Sequence, residues 1–153
     1  MPTFNFCSTL DALKAEFISG APYMGASYDI SADLGSIGSD GKFYSSELIA
    51  WDPIQGKRLW EKKEPAMIYA GVLATAGNVV IYSTQAPSLK AVDATTGKDL
   101  WSTSLKCNTV GNPITFQGPD GVQRIAVFSD DACTNGAQQV SDGGQVHVFK
   151  LNP

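Results

Sequence analysis

The sequence predicts an all-β fold built from repeated four-stranded antiparallel sheets. The evidence is an internal repeat and the turn residues within it. The segment LIAWDPIQGKRLW (Leu48–Trp60) returns as LKAVDATTGKDLW (Leu89–Trp101). The identities that lie 41 residues apart include Ala50 and Ala91, Asp52 and Asp93, Gly56 and Gly97, and Trp60 and Trp101. The chain of 153 residues also contains 15 glycines and eight prolines, which favour turns over long helices. A period of about 40 residues is typical of β-propeller blades, so we expect a β-propeller.

One complete blade is predicted around the second copy of the repeat. The segment GVLATAGNVVIYST (Gly71–Thr84) predicts a strand, a tight Ala-Gly-Asn turn and a second strand. The segments SLKAVDA and KDLWSTSL predict two further strands joined by a Thr-Gly turn. These four strands run from Tyr69 to about Leu105, within a unit that we assign to residues 63–105.

Each residue of the repeated motif has a predicted structural role. The aspartates are expected to cap the turn through hydrogen bonds to the backbone. The glycines supply the positive φ that the turn requires, and the tryptophans offer a large flat surface to the neighbouring blade. The alternative is two unrelated hairpins that resemble each other by chance.

Both flanking units are predicted to be incomplete. The last one, residues 106–153, contains a hairpin turned at Pro119-Asp120-Gly121, a polar loop Asp130–Gly143 and the strand GQVHVFKL, but no outer strand. The first, residues 1–62, is a partial blade with a long irregular insert, Cys7–Ser46. About two and a half blades cannot close a ring, so we expect a β-propeller fragment with exposed apolar flanks.

Composition excludes several classes of function. The formal net charge is −4 and no block of Lys or Arg is present, which disfavours a nucleic-acid groove or an anionic membrane surface. No apolar run approaches the roughly 20 residues that a membrane-spanning helix needs. The start, MPTFNFCSTL, lacks the pattern of a secretory signal. Three cysteines without C-x-x-C spacing and a single histidine, His147, disfavour a zinc site.

The order of the motifs resembles the PQQ-dependent (quinoprotein) alcohol dehydrogenases, the family of the methanol and ethanol dehydrogenases. The resemblance rests on LIAWDPIQGKRLW, AGVLATAGNVVIYST, LKAVDATTGKDLW and VGNPITF…PDG…IAVFS, and MPTFNFC with FISGAPYMGAS is similar to the segment ahead of these blades. It covers nearly the whole chain. The tryptophan motif alone is shared with non-catalytic propellers of the outer-membrane assembly type, whereas the ordered set is more specific.

The resemblance implies an eight-bladed propeller of which this chain is the C-terminal part. It implies PQQ with a calcium or lanthanide ion as cofactor, a metal that acts as Lewis acid and an Asp that acts as general base in the oxidation of an alcohol. Those metal ligands and that Asp lie upstream, so no catalytic or metal-binding residue is assigned here, and the chain alone is expected to be inactive. The implied partners are the remainder of the propeller, a small alcohol and a cytochrome c electron acceptor, and the implied location is the periplasm. The alternative function is a non-catalytic PQQ-like-repeat propeller that acts as a scaffold or interaction module.

The same resemblance assigns one cofactor-binding segment to this chain. Tyr69-Ala70-Gly71 corresponds to the family's Trp-(Ser/Gly)-Gly, which forms one wall of the PQQ chamber, with Tyr in place of Trp. The alternative is that Tyr69 is a core aromatic at a strand start. The loop Ser129–Gly136 lacks the family's Gly pair and Trp, so no cofactor contact is assigned to it.

Three polar segments are predicted to be structural. Asp130-Asp131 with Asn135 and Asp142 offers oxygen ligands, but the spacing matches no calcium loop and favours a solvated loop. His147 alternates with valines and is predicted to be a hydrogen-bonded strand residue rather than a base. The stretch EKKEP (Glu61–Pro65) is predicted to be a solvent-exposed hairpin exit.

Propeller topology predicts a disulfide between Cys107 and Cys133. The connection between blades and the connection between the second and third strands lie on the same face, and these cysteines occupy one of each. The export that the resemblance implies favours their oxidation. The family partner of Cys7 lies upstream, so Cys7 is expected to be a free thiol. The alternative is three unpaired cysteines.

Overall fold

The described part of the chain consists of strands and turns. The structure, a computed structural model, describes residues 1–14, 16–21, 25–109, 111–129, 132–135, 138–141 and 144–150, and for residues 6–7, 28–34, 132–135 and 138–141 it describes the backbone alone. Within these residues there is no helix, and hence none long and apolar enough to cross a membrane. The strands are β1 (Pro2–Phe4), β2 (Phe6–Ala12), β3 (Ala26–Leu34), β4 (Ser36–Ile37), β5 (Phe43–Tyr44), β6 (Ser46–Asp52), β7 (Lys57–Glu64), β8 (Leu73–Ala74), β9 (Val79–Thr84), β10 (Ser88–Asp93), β11 (Asp99–Ser104), β12 (Ile114–Gln117), β13 (Gln123–Ser129), β14 (Ala132–Asn135), β15 (Gln138–Ser141) and β16 (Gln145–Lys150).

Three antiparallel sheets form consecutive blades, which confirms the predicted propeller fragment. The first blade has the order β1-β6-β7, the second β11-β10-β9-β8 and the third β12-β13-β16. The second is thus complete, and within the described residues the third has no outer strand. In the first two blades the motif residues pair identically, Ala50 with Trp60 and Ala91 with Trp101, and each register shifts directly after the alanine. The repeat in sequence is therefore a repeat in strand register.

The two insertions contain more strand than the sequence predicted. The Cys7–Ser46 insert, expected to be irregular, holds the hairpins β2-β3 and β4-β5, and the 130–143 loop holds β14-β15. These hairpins pair with themselves and not with a blade. Of their described side chains, Leu10 and Ile37 are 67% and 74% exposed. The strand β3, ASYDISADL, alternates apolar and polar residues, which is a strand signal that the prediction of an irregular insert did not take into account.

The motif turns form as predicted. The Asp93 carboxylate accepts hydrogen bonds from the Thr95 and Thr96 amides at 3.0 and 2.8 Å, and Asp52 caps its turn in the same way. Hydrogen bonds to the Asp93 carboxylate, first from the Thr96 hydroxyl, lower the pKa of this group. The turns lie at the end of the sheets opposite to the connections between blades.

The apolar core consists of two seams, one on each face of the second blade. The first seam, between the first and second blades, buries Leu48, Ile68, Val80, Tyr82 and Val92. The second seam, between the second and third blades, buries Ile81, Leu89, Ala91, Leu105 and Val127. Successive β9 residues alternate between the seams because side chains of a strand point to opposite faces. The far face of the third blade is exposed and apolar, with Ile114, Phe116, Phe128, Val146 and Val148 between 41% and 66% exposed.

The two motif tryptophans both contact the following blade, but with different partners. Trp60 donates from Nε1 to the Ala94 carbonyl at 2.9 Å and packs over Gly97. Trp101 meets the Phe149 ring edge-on at 5.5 Å and remains 43% exposed. The turn equivalent to Ala94–Gly97 would follow β16, at residues 151–153, which lie outside the described part of the chain.

Candidate functional site

The predicted wall, Tyr69-Ala70-Gly71, lies in the connection between the first and second blades. This connection, residues 65–72, runs over the end of the sheets that also carries the connection 105–113, and we call this end the loop face. Tyr69 is 58% exposed and Ala70 is 3% exposed. In this chain the Tyr69 ring is therefore exposed on the loop face.

Residues of all three blades hold this connection in place. The Ser45 and Ser46 hydroxyls of the first blade donate to the Pro65 and Ala66 carbonyls at 3.0 and 2.9 Å. In the second blade, the Gln85 amide donates to the Met67 carbonyl at 2.8 Å. At the third blade, the Gly71 amide donates to Asn112 Oδ1 at 2.6 Å. A segment without regular structure is thus hydrogen-bonded to neighbouring residues on both sides of Tyr69.

Phe4 completes the exposed aromatic surface. Its ring stacks on Tyr69 with centroids 6.0 Å apart and an interplanar angle of 27°. Phe4 is the last residue of β1 and pairs with Ser46 of β6. Ser46 pairs on its other side with Glu64, the last residue of β7 before the connection, so Phe4 lies beside the connection. Phe4 was not predicted from the sequence, because this pairing spans more than 40 residues and no local pattern predicts it.

Asn112 was missed as well, although the repeat contains a signal for it. Gly71 and Asn112 lie 41 residues apart, so they hold the same position in consecutive blades. A Cβ on Gly71 would lie 2.5 Å from Asn112 Oδ1, so glycine is required for this close approach. The sequence alone could not show that the Asn112 side chain reaches back to the preceding blade.

A cavity beside the wall is too small to be the cofactor site. Its volume is about 200 Å³, below the roughly 300–1,000 Å³ of typical ligand pockets. It is lined by Thr3, Phe4, Asn5, Ser36, Gly38, Tyr44, Ser46, Glu47 and Lys63. The wall is accordingly an open surface and not an enclosed pocket of this chain.

The remaining predicted residues fall into two groups. His147 is partly buried and shares a hydrogen bond of 2.9 Å with the Ser129 hydroxyl, as expected for a structural residue. Asp130, Asp131, Gly136 and Asp142, and the Asn135 side chain, lie outside the described part of the chain. Among the residues that are described, no three His, Cys, Asp or Glu side chains could together hold a metal ion.

Cys107 lies in the connection between the second and third blades, and its side chain is 2% exposed. It is disulfide-bonded. The side chains of Cys7 and Cys133 are outside the described set, so the identity of its partner remains a prediction.

Sequence comparisons identify a family of repeat proteins. Residues 44–146 match the model of a PQQ-repeat family described as outer membrane protein assembly factor BamB. The lanthanide-dependent methanol dehydrogenase of Methylacidiphilum fumariolicum is 41% identical over 129 residues, 84% of this chain and 20% of that protein. The quinoprotein ethanol dehydrogenase of Pseudomonas aeruginosa is 34% identical over 148 residues, 90% of this chain and 22% of that protein.

Solved structures agree with the sequence comparison. A europium-containing methanol dehydrogenase superimposes with a TM-score of 0.71 and 37% identity, over 85% of this chain and 22% of that chain. The quinohemoprotein alcohol dehydrogenase of Comamonas testosteroni superimposes with a TM-score of 0.74 and 26% identity, over 98% of this chain and 23% of that chain. The chain thus spans about a fifth of the length of the curated relatives it matches. It belongs to the PQQ-repeat β-propeller family and is similar to part of the quinoprotein alcohol dehydrogenases, as its motifs predicted.

Proposed function

We propose that the chain forms the C-terminal blades of a PQQ-dependent alcohol dehydrogenase that oxidises alcohols to aldehydes. Its units would be residues 1–62, 63–105 and 106–153, and its contribution one wall of the PQQ chamber, formed by Tyr69, Ala70 and Gly71. The observation that carries the proposal is the exposed Tyr69 ring on a connection that residues of three blades hydrogen-bond. A solvated aromatic in so fixed a segment is more typical of a binding surface than of a core.

The residues of the wall suit PQQ, a flat acidic quinone. The exposed Tyr69 ring offers a stacking surface, and the absence of a side chain at Gly71 allows close approach to the backbone. The Asn112 amide adds hydrogen-bond donors for acidic or carbonyl groups. When bound, PQQ would accept the hydride equivalent removed from the alcohol carbon. This chain's residues would orient the ring system and exclude water from one side of it.

The metal and the general base would come from elsewhere in the propeller. The names of the relatives support a lanthanide, with calcium as the alternative ion. No metal ligand or catalytic residue of this chain is proposed, so the 153-residue chain alone is expected to lack activity.

The partners would be the remaining blades, a small alcohol and an electron acceptor. The exposed apolar face of the third blade supports packing against a further blade, because monomers rarely leave such a surface in water. One relative, from Thauera butanivorans, is named 1-butanol dehydrogenase (cytochrome c) and is 41% identical over 80 residues, which supports a cytochrome c acceptor. A periplasmic location is supported by the disulfide at Cys107, since disulfides persist in oxidising compartments.

We propose Cys133 as the disulfide partner of Cys107. Thr109, two residues after Cys107, pairs with Ser129 at the end of β13, and Cys133 lies on β14 shortly beyond. The bridge would tie the β14-β15 hairpin to the loop face. Cys7 would then remain a free thiol.

A peptide map of the unreduced protein tests this pairing. Trypsin cleaves after Lys106, Arg124 and Lys150, so we expect peptide 107–124 to be linked to peptide 125–150 and to separate from it after reduction. A link between peptide 107–124 and peptide 1–14, which contains Cys7, would contradict the proposal.

A chimeric enzyme tests the proposed function. The corresponding segment of the Methylacidiphilum fumariolicum methanol dehydrogenase is replaced by this chain, and PQQ binding and dye-linked alcohol oxidation are measured with added lanthanide. We expect the chimera to bind PQQ and to turn over an alcohol. We expect no turnover from the 153-residue chain with PQQ and either ion, because a single wall cannot preorganise the reaction.

Variants of Tyr69 separate the two candidate functions. In the chimera, Tyr69→Ala is expected to weaken PQQ binding about tenfold through the loss of stacking, whereas Tyr69→Trp, the family residue, should retain it. A chimera that folds but binds no PQQ would favour the scaffold function instead. That alternative draws on the family model's description as an assembly factor.

A further inference from the structure

Asn112 holds the wall from the third blade at the shortest of the contacts to this connection. Its Oδ1 accepts from the Gly71 amide at 2.6 Å, and a Cβ on Gly71 would also come within 2.8 Å of Asn112 Cγ. The two residues can approach this closely because Gly71 has no side chain. The contact therefore sets the position of the Gly71 backbone relative to the third blade.

The backbone of Asn112 is restricted. Pro113 follows directly and is buried, and a proline restricts the preceding residue to extended conformations. Asn112 itself is exposed on the loop face. Its amide is thus held at one end by Gly71 and open to the loop face at the other.

The second half of this amide is available to a ligand. Because Oδ1 accepts from Gly71, the two N–H donors of Nδ2 remain, and neither has a partner among the residues that the structure describes. Tyr69, two residues before Gly71, presents its ring on the same face. An aromatic surface with unpaired donors nearby suits a flat ligand that carries carbonyl or carboxylate groups.

We infer that Asn112 has two roles in the proposed PQQ chamber. Through Oδ1 it is the positioning residue for the Tyr69–Gly71 wall, and through Nδ2 it donates a hydrogen bond to an acceptor group of the cofactor. The inference rests on the proposed function. It adds a binding residue from the third blade, where the Ser129–Gly136 loop provides no assigned contact.

Two substitutions separate the two roles. Asn112→Asp keeps an oxygen that accepts from the Gly71 amide but replaces the Nδ2 donors by a negative charge. Asn112→Ala removes both the acceptor and the donors. Gln117→Ala is the matched control, because Gln117 is an exposed amide residue that bonds a backbone carbonyl, that of Gly121, at the opposite end of the sheet.

The experiment uses the chimeric enzyme and measures two quantities. The PQQ dissociation constant is obtained by titration of the metal-loaded protein, and the thermal midpoint is measured without PQQ. We expect both Asn112 variants to raise the dissociation constant about tenfold or more, as for loss of a hydrogen bond to a charged group. Asn112→Asp should keep the wild-type midpoint, since the bond from Gly71 is retained. Gln117→Ala should leave the dissociation constant unchanged.

The outcomes distinguish this inference from the proposed function. Wild-type PQQ affinity in Asn112→Asp, together with weak binding in Asn112→Ala, would overturn the donor role. Affinities within twofold of wild type in both variants would overturn the whole inference while leaving the proposed function intact. A parent chimera that folds but retains no PQQ would overturn the proposed function and this inference with it.

Discussion

Replacing Glu64 by alanine is expected to lower the free energy of unfolding by about 3–5 kcal/mol, because it breaks a buried charged network. Glu64 is 3% exposed in the first seam. Its carboxylate accepts from the Tyr82 hydroxyl at 2.7 Å and from Lys90 Nζ at 2.6 Å. Without Glu64, the fully buried Tyr82 hydroxyl and the partly buried Lys90 ammonium both lose their acceptor. Equilibrium urea unfolding of the 153-residue chain, followed by tryptophan fluorescence, measures the loss.

An apolar version of the same seam is the control for this prediction. The triple variant Glu64→Leu, Tyr82→Phe, Lys90→Met removes all three polar partners together, so it is expected to unfold within about 1 kcal/mol of the wild type. The second seam supports this expectation. There Leu105, 41 residues after Glu64, holds the position equivalent to Glu64. Val127 holds the position of Tyr82, since Val127 pairs with His147 as Tyr82 pairs with Lys90. A triple variant as unstable as Glu64→Ala would show that packing, and not the unpaired polar groups, causes the loss.

The pH dependence of stability gives a second measure of this network. Burial, and then the hydrogen bond to Glu64, raises the pKa of Tyr82 well above its ordinary value of 10.0. A raised pKa in the folded state contributes stability below the unfolded pKa that is lost as the pH rises. Tyr82 should therefore contribute a loss of stability above about pH 10, and the triple variant should lack this contribution.

The blades could be predicted from the sequence because their determinants are local. Asp93 and Gly97 form a turn within five residues, and the repeated Ala and Trp face each other across one hairpin. The polar network in the seam could not be predicted. Glu64 lies in the stretch EKKEP, which we expected to be solvent-exposed, whereas it is buried through contacts with Tyr82 and Lys90. Charges next to one another in sequence gave no sign that one of them would meet another blade.

The candidate site was predicted only in part, because some of its contacts are local in sequence and others are not. Tyr69, Ala70 and Gly71 were found through the family motif, and the structure adds that the Tyr69 ring is exposed. Phe4 reaches it through strand pairing over more than 40 residues, and Asn112 through a side chain that crosses to the preceding blade. Both contacts depend on the packing of blades, which a period in the sequence implies but does not specify.

Gly97→Ala is expected to lower the free energy of unfolding by about 2–5 kcal/mol, through backbone strain and a steric clash together. The φ of Gly97 is 72°, a conformation that residues with a Cβ rarely adopt. An added Cβ would lie 2.8 Å from the Trp60 ring, and this ring is held by its hydrogen bond to the Ala94 carbonyl at 2.9 Å. The ring could therefore give way only by leaving its site in the first seam. Urea unfolding again measures the change.

Gly56→Ala separates the clash from the strain. Gly56 holds the equivalent position one blade earlier, with a φ of 63°, and nothing lies within 4 Å of an added Cβ. In this variant the free energy of unfolding should fall only by the cost of backbone strain, about 1–2 kcal/mol. In a Trp60→Ala background, Gly97→Ala should fall to the same cost, because the ring that it meets is gone. Equal losses for Gly56→Ala and Gly97→Ala in the wild-type background would mean that Trp60 does not dock against this turn. The motif would then stabilise each blade by itself and not the packing of one blade on the next.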